Sequence, residues 1–240
     1  MQDSFTRIVA GVKQRQNPEW VETVERLRED ELRYTAEAEA ESNAPMTPKQ
    51  IFDIINANKA PGTVIATDVG QHQMWTAQYV HFDRARRFVS SGGLGTMGFG
   101  LGAAIGAQIA TGDPTVLITG DGSFGMNLNE LATAVTYRIP LVIVLMNNGV
   151  LGMVRQWQTI FFEKRYSNTV LERRTDFVKL AEAFGAEAYR VSTPEEFEAA
   201  FRRARDAEGP VVIDTLIDKD AFVLPMLPPG GSIEDIIVRK

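Results

Sequence analysis

The sequence contains no cysteine, which excludes a disulfide framework and any thiolate metal site. It has no apolar stretch approaching the ~20 residues that a membrane-spanning helix needs. Its first fifteen residues lack the apolar core of a secretory signal. The expectation is therefore a cytoplasmic protein with no membrane partner, a removed organelle transit peptide being the alternative. Excess positive charge is also missing: the formal net charge is −6, which argues against a nucleic-acid partner. There are no internal repeats. A well-placed G-x-G-x-x-G opening a βαβ unit with a ribose-binding acid is absent too, and that disfavours a nucleotide-binding Rossmann-like domain. What remains is 240 residues of mixed charge and ordinary apolar content, enough to bury a sizeable core.

The most informative stretch is residues 116–148. Val116, Leu117, Ile118 and Thr119 form a short apolar run that ends at Gly120-Asp121-Gly122. This pattern predicts a buried parallel strand feeding a tight turn. A single helix of about four turns is expected from near Met126 to Arg138, with Leu128, Leu131, Ala132 and Val135 on its apolar face. Pro140 ends it, and residues 141–145 make a second apolar strand that stops at Asn147-Asn148. The unit thus carries an acid at one strand end and an amide at the next. Ligands of open parallel sheets sit at those ends. Paired oxygens suit a hard divalent cation, and Gly120, Gly122 and Ser123 allow backbone amides close to a phosphate. The residues alone point to a Mg²⁺–diphosphate site. The plainer reading is a helix-capping Gly-Asp-Gly turn followed by an ordinary Asn-Asn turn.

Gly120-Asp121-Gly122, the spacer and Asn147-Asn148 together closely resemble the thiamine diphosphate motif of thiamine-dependent enzymes. Further matches resemble the catalytic subunits of the acetolactate synthase (acetohydroxyacid synthase) family. They are Gly70-Gln71-His72-Gln73-Met74-Trp75, the glycine-rich residues 91–100, Gly152-Met153-Val154-Arg155-Gln156-Trp157-Gln158, and Val223-Leu224-Pro225-Met226. The resemblance implies thiamine diphosphate and Mg²⁺ as cofactors. It makes Asp121, Asn148 and the carbonyl of Val150 the metal ligands. It brings Gln71 and His72 to the diphosphate and gives Gly95 and Met97 to the loop around the aminopyrimidine, with Met97 beneath the cofactor. Gly120, Gly122, Ser123 and Met153 complete the cofactor contacts. Met153, Val154, Trp157 and Phe161 become one wall of a substrate channel. Gly102, where a proline is common in the family, is a departure outside the proposed chemistry.

Elsewhere, alternating strands and helices with short turns predict a doubly wound α/β domain, its sheet mostly parallel and covered by helices on both faces. Residues 1–44 read as a helical linker or the remnant of a central domain, residues 45–217 as the cofactor domain, and residues 218–240 as a tail. Residues 1–15 read as a remnant or short helix, and residues 19–40 as a helix with sparse apolar positions. Thr47-Pro48 and Thr193-Pro194 are helix starts. Dense glycine over residues 91–106 has two explanations, close approach to a ligand up to Gly95 and tight helix packing from Gly98 onward. Arg155, Lys164 and Arg165 are candidates to steer anionic substrates, with a solvated charge cluster the alternative.

By resemblance, the implied reaction is decarboxylation of pyruvate and ligation of the resulting enamine to a second 2-keto acid, pyruvate or 2-ketobutyrate. That reaction belongs to branched-chain amino acid biosynthesis. The family's activating glutamate comes from a pyrimidine-binding domain of a partner subunit, and no stretch here resembles that domain. The expectation is inactivity alone, homo-oligomerisation, and a regulatory subunit as a further partner. The chain then reads as a piece of a longer enzyme, half of a split enzyme, or a truncated gene product. Alternatives are another thiamine diphosphate carboligase, decarboxylase or oxidase, or a non-catalytic cofactor-binding module.

Overall fold

The computed structural model describes residues 2–12, 17–42, 44–172 and 174–238. The part of the 1–15 expectation that falls on residues 1 and 13–15 lies outside them. The chain divides into two compact units. One comprises Met1–Glu41 with Pro225–Arg239. It contains helices α1 (Gln2–Gly11) and α2 (Pro18–Glu41), and a bridge between Met226 and Ile237. Trp20, Val21, Val24, Leu27 and Leu32 of α2 are all exposed.

The other unit, Ser42–Leu224, is a sheet sandwiched between helices. Its elements run α3 (Pro48–Asn58), β1 (Val64–Thr67), α4 (Gln71–Tyr79), β2 (Phe88–Val89), α5 (Gly100–Thr111) and β3 (Thr115–Gly120). There follow α6 (Asp121–Asn127), α7 (Leu131–Thr136), β4 (Leu141–Asn147), α8 (Gly152–Phe161), α9 (Phe177–Phe184), β5 (Glu187–Val191), α10 (Pro194–Arg205) and β6 (Val211–Leu216). The starts of α3 and α10 follow from their sequences. Thr47 Oγ1 accepts from Gln50 N, Thr193 Oγ1 accepts from Glu196 N, and a proline follows each cap.

The six strands are all parallel, in the order β2-β1-β3-β4-β6-β5. The apolar runs of β3, β4 and β6 look continuous in sequence because both faces are covered. Their period of two divides them between layers. Val116, Ile118, Val142, Val144 and Ile213 pack with α3, α4 and α10 around Phe52, Trp75, Phe197 and Phe201. Leu117, Ile143, Leu145 and Val212 pack with the opposite layer around Leu101, Phe124, Leu131 and Phe177. Each such fully buried side chain contributes ~1.5–3 kcal/mol of hydrophobic stabilisation. The doubly wound fold expected from the sequence is the one observed. From β1 the chain moves out to β2, then crosses back to place β3 on the other side of β1. That reversal is the switch point at which open sheets bind ligands.

The helix expected from Met126 to Arg138 is different in the structure. It starts at Asp121, and Asn127 leaves helical geometry (φ −141°, ψ 27°). A 3-10 turn at Leu128–Glu130 follows, and α7 ends at Thr136. Ala132 is exposed and Ala134 is buried in its stead, because the break rotates the apolar face. The glycine-rich segment also divides differently. A side chain at Gly100 would lie 2.8 Å from Leu117 Cδ1, so tight packing explains that position, whereas Gly102 and Gly106 face open space.

Candidate functional site

A pocket opens at the carboxyl ends of β1, β3 and β4. It is lined by the turn after β1, by Met97, by the start of α6 and by residues 148–154. The three strand ends are adjacent, β1 beside β3 and β3 beside β4.

The turn after β1 supplies Gln71 and His72, the first residues of α4, both buried. The turn is possible because Gly70 has φ 154° and ψ −163°, a region only glycine occupies readily. His72 is 5% exposed, and its Nε2 has no hydrogen-bond partner. Burial pushes its pKa down to about 3, against a weaker opposing hydrogen bond to the Asp68 main chain. The imidazole is therefore neutral at physiological pH, with one nitrogen unused.

Asp121 opens α6 and is buried. Ser123 Oγ donates to Val69 O at 2.7 Å, tying this turn to the one after β1. A side chain at Gly120 would stand 3.0 Å from His72 Nδ1, and one at Gly122 would stand 3.1 Å from Leu151. Both glycines therefore keep the floor of the pocket clear.

After β4 the two asparagines separate in function. Asn147 Nδ2 donates to the buried Asp214 Oδ1 at 2.8 Å and belongs to the sheet. Asn148 turns to the pocket, where its Oδ1 accepts from Val150 N at 3.1 Å and its Nδ2 donates to Gln71 Oε1 at 3.3 Å. The loop is pinned by Leu151 N to Thr169 O and by Leu171 N to Gly149 O, each 2.8 Å. That pairing leaves the Val150 carbonyl outside its ladder. The pocket thus offers a carboxylate, an amide oxygen and a main-chain carbonyl. Among the described residues no group of three His, Cys, Asp or Glu could hold a metal. A cation held here would need oxygens from its ligand, as Mg²⁺ in phosphate sites does.

The structure brings Gln71, His72, Met97, Gly120, Asp121, Gly122, Ser123, Asn148, Val150, Met153 and Val154 to one pocket. Gly95 is not among its lining; it sits in an exposed loop with φ +61°. A second hollow shares Met153 and Val154 and continues to Trp157, Phe162 and Arg165. Trp157 and Phe161 meet edge to face at 5.7 Å. Helix α8 is inside out: Val154, Trp157 and Phe161 are 49%, 37% and 37% exposed, while Arg155 and Gln156 are buried. Arg155 is not a steering charge. Its Nε donates to Asp220 Oδ1 at 2.8 Å, and its guanidinium lies 4.0 Å from the Tyr166 ring centroid. Burial of a long cation needs such partners.

Two residues with work at this site escaped sequence reasoning. Asp68, at the end of β1, accepts from Gly98 N at 2.7 Å and Val69 N at 3.1 Å, and from Thr119 Oγ1 at 3.3 Å. It clasps the loop that carries Met97, and burial holds its pKa above the ordinary carboxylate value despite these bonds. The signal was present, an acid at the end of a buried strand as with Asp121. Gln156 is the second; it stands within the Gly152–Gln158 match, but no local feature marks its side chain as belonging to the site.

The family model "Thiamine pyrophosphate enzyme, C-terminal TPP binding domain" matches residues 68–215. The acetolactate synthase isozyme 2 large subunit of Escherichia coli (strain K12) is 41% identical over 100% of this chain and 43% of its own length. The acetolactate synthase large subunit of Corynebacterium glutamicum is 42% identical over 91% of this chain and 35% of its own. The chain therefore spans about two fifths of the length of these curated relatives. Among solved structures, the thiamine diphosphate-dependent 4-hydroxybenzoylformate decarboxylase of Rhodococcus jostii RHA1 superposes with a TM-score of 0.66 at 28% identity. That match covers 74% of this chain and 33% of the decarboxylase chain.

Proposed function

The chain belongs to the thiamine pyrophosphate enzyme family through its C-terminal cofactor-binding domain, and from that premise we propose that it is the diphosphate- and Mg²⁺-binding portion of an acetolactate synthase. One observation carries the reading. A carboxylate (Asp121), an amide oxygen (Asn148) and a main-chain carbonyl (Val150) line one pocket at adjacent strand ends, beside the buried neutral His72. Mg²⁺ bound there would take its remaining oxygens from the diphosphate, and His72 would donate to a diphosphate oxygen as the tautomer protonated on Nε2.

In this reading Asp121, Asn148 Oδ1 and the Val150 carbonyl hold Mg²⁺, while His72 holds the diphosphate and Gly120 and Gly122 give it room. These groups bind and orient; none is asked to move a proton. Met97 supports the cofactor from the loop that Asp68 clasps. Bound thiamine diphosphate supplies the carbanion chemistry for decarboxylating pyruvate and joining the two-carbon unit to pyruvate or 2-ketobutyrate. Met153, Val154 and Trp157 line the substrate's approach and exclude water from it.

The activating glutamate is assigned to a pyrimidine-binding domain on a partner subunit or second polypeptide, so the chain by itself does not turn over pyruvate. The same reading makes the assembled enzyme a cytoplasmic homo-oligomer that accepts a regulatory subunit. Calorimetric titration with thiamine diphosphate tests the core of it. Binding is expected with Mg²⁺ and not in chelator, and Asp121→Ala should abolish it while leaving the melting temperature near wild type. Uptake by that variant as strong as wild type would overturn the assignment. A second reading, decarboxylation without ligation, draws on the decarboxylase neighbour. Product analysis from pyruvate, after the pyrimidine-binding domain is supplied, separates the two.

A further inference from the structure

Three side-chain amides, those of Gln71 and Gln156 buried and that of Asn148 half-buried, form a continuous chain from the Ala221–Val223 backbone to Asn148. Gln156 Nε2 donates to Val223 O at 2.9 Å, and Gln156 Oε1 accepts from Val223 N at 2.8 Å. Gln71 Nε2 donates to Gln156 Oε1 at 3.0 Å and to Ala221 O at 2.8 Å. Gln71 Oε1 then accepts from Asn148 Nδ2 at 3.3 Å.

The polarity of this chain is set by main-chain groups along it: the Val223 N–H and carbonyl at Gln156, the Ala221 carbonyl at Gln71 and the Val150 N–H at Asn148. An amide side chain can flip, exchanging its donor and acceptor, unless a neighbour with only one of the two capacities decides for it. A main-chain N–H only donates and a main-chain carbonyl only accepts. The Val223 backbone presents one of each and so dictates which end of Gln156 faces which. Gln156 Oε1, with the Ala221 carbonyl, dictates Gln71, and Gln71 Oε1 dictates that Asn148 directs its nitrogen away from Val150. The atom left for a cation is the Asn148 oxygen. The Val150 N–H supports the same orientation from the other side.

Gln71 and Gln156 are 4% and 2% exposed, so water does not replace a lost partner cheaply. Gln156 is not among the residues lining the cofactor pocket. We propose that Gln156 is a positioning residue: through Gln71 it holds the Asn148 amide oxygen-forward for Mg²⁺, and it links that orientation to the order of residues 221–223. The Mg²⁺ part of this inference rests on the function proposed above; the orientation of the amide does not.

The test uses the whole chain and the variant Gln156→Met, which keeps the size of the side chain and removes its hydrogen bonds. In cofactor-free protein, NMR should show the Asn148 side-chain amide shifted toward solvent-exposed positions, and hydrogen exchange at Val223 should accelerate. The Mg²⁺ concentration giving half-maximal thiamine diphosphate binding should rise roughly tenfold, the weight of a net hydrogen bond or two. Faster exchange at Val223 with the Asn148 signals and the Mg²⁺ requirement unchanged would make Gln156 a tail anchor only and overturn the proposal. Should Gln156→Met not fold, Gln156→Glu retains an acceptor for Val223 N and for Gln71. It is expected to keep the Asn148 signals at wild-type positions, and their loss would overturn the proposal equally. Wild-type protein that takes up no cofactor sinks the proposed function, while the cofactor-free NMR comparison still decides whether Gln156 orients Asn148.

Discussion

His72 and Asp68 sit within a few residues of each other and pull stability in opposite directions along the pH axis. The folded His72 pKa is about 3, against an unfolded value of 6.5. Below 6.5 the unfolded chain binds a proton that the folded chain refuses, so stability falls as pH drops through that window. Asp68 holds its proton more tightly when folded, which favours folding at low pH and is lost as pH rises through its raised pKa. Relative to His72→Gln, which cannot titrate, the wild type should lose up to about 2 kcal/mol between about pH 7 and pH 5. Urea unfolding at both pH values measures it, and a constant difference between the two proteins would refute the burial argument. Asp121 and Asn148 stand out in the sequence because their chemistry is local to strand ends, whereas His72 came to the site through the family resemblance. Asp68 was overlooked although it obeys the same rule. Gln156 was not legible, because nothing in its neighbours announces that a distant backbone segment needs both halves of its amide.

Helix α8, which lines part of the pocket, inverts the usual arrangement. Its apolar residues face out and its polar ones face in, because Asp220 and Val223 satisfy Arg155 and Gln156. Trp157 therefore contributes little to folding. Trp157→Ala should cost only ~0.5–1.5 kcal/mol, chiefly its edge-to-face contact with Phe161, as measured by urea unfolding. A loss above 3 kcal/mol would mean that the face is buried in solution. Gly152 at the head of α8 behaves in the opposite way. A methyl there would collide with Gln71 Oε1 and come within 2.7 Å of Asn148 Nδ2. Gly152→Ala should destabilise by ~1–3 kcal/mol, the cost of overpacking. It should also weaken Mg²⁺-dependent cofactor binding, and calorimetry at saturating Mg²⁺ checks this. The residues that the resemblance gives to a channel wall all lie on α8, and Val154, Trp157 and Phe161 among them face away from the core. The break between α6 and α7 had no local signature, since residues 126–136 contain no proline or glycine to mark it.

At the scale of the whole molecule, the proposed function makes the site a half-site. The pocket gathers oxygen donors beside a buried histidine, and the proposal assigns the acid that activates the pyrimidine ring to another domain. Purified chain with thiamine diphosphate, Mg²⁺ and pyruvate should therefore show binding and no acetolactate, followed by colorimetric product assay. Sustained turnover would show that the activating acid lies within this chain. No helix among the described residues is long and apolar enough to cross a membrane. The sequence by itself determined the order of strands and helices, the doubly wound class and the identity of the strand-end residues. Those depend on short-range rules: periodicity, capping, chain breaks and the chemistry of a turn. Only the tertiary structure decided that Asn147 serves the sheet, through Asp214. It also decided that Arg155 is a pinned structural charge and that the 221–223 backbone reaches Asn148 through two glutamines. Each of these turns on which distant group lies within about 3 Å of a buried polar atom, where hydrogen bonds form. Local sequence carries no record of that distance.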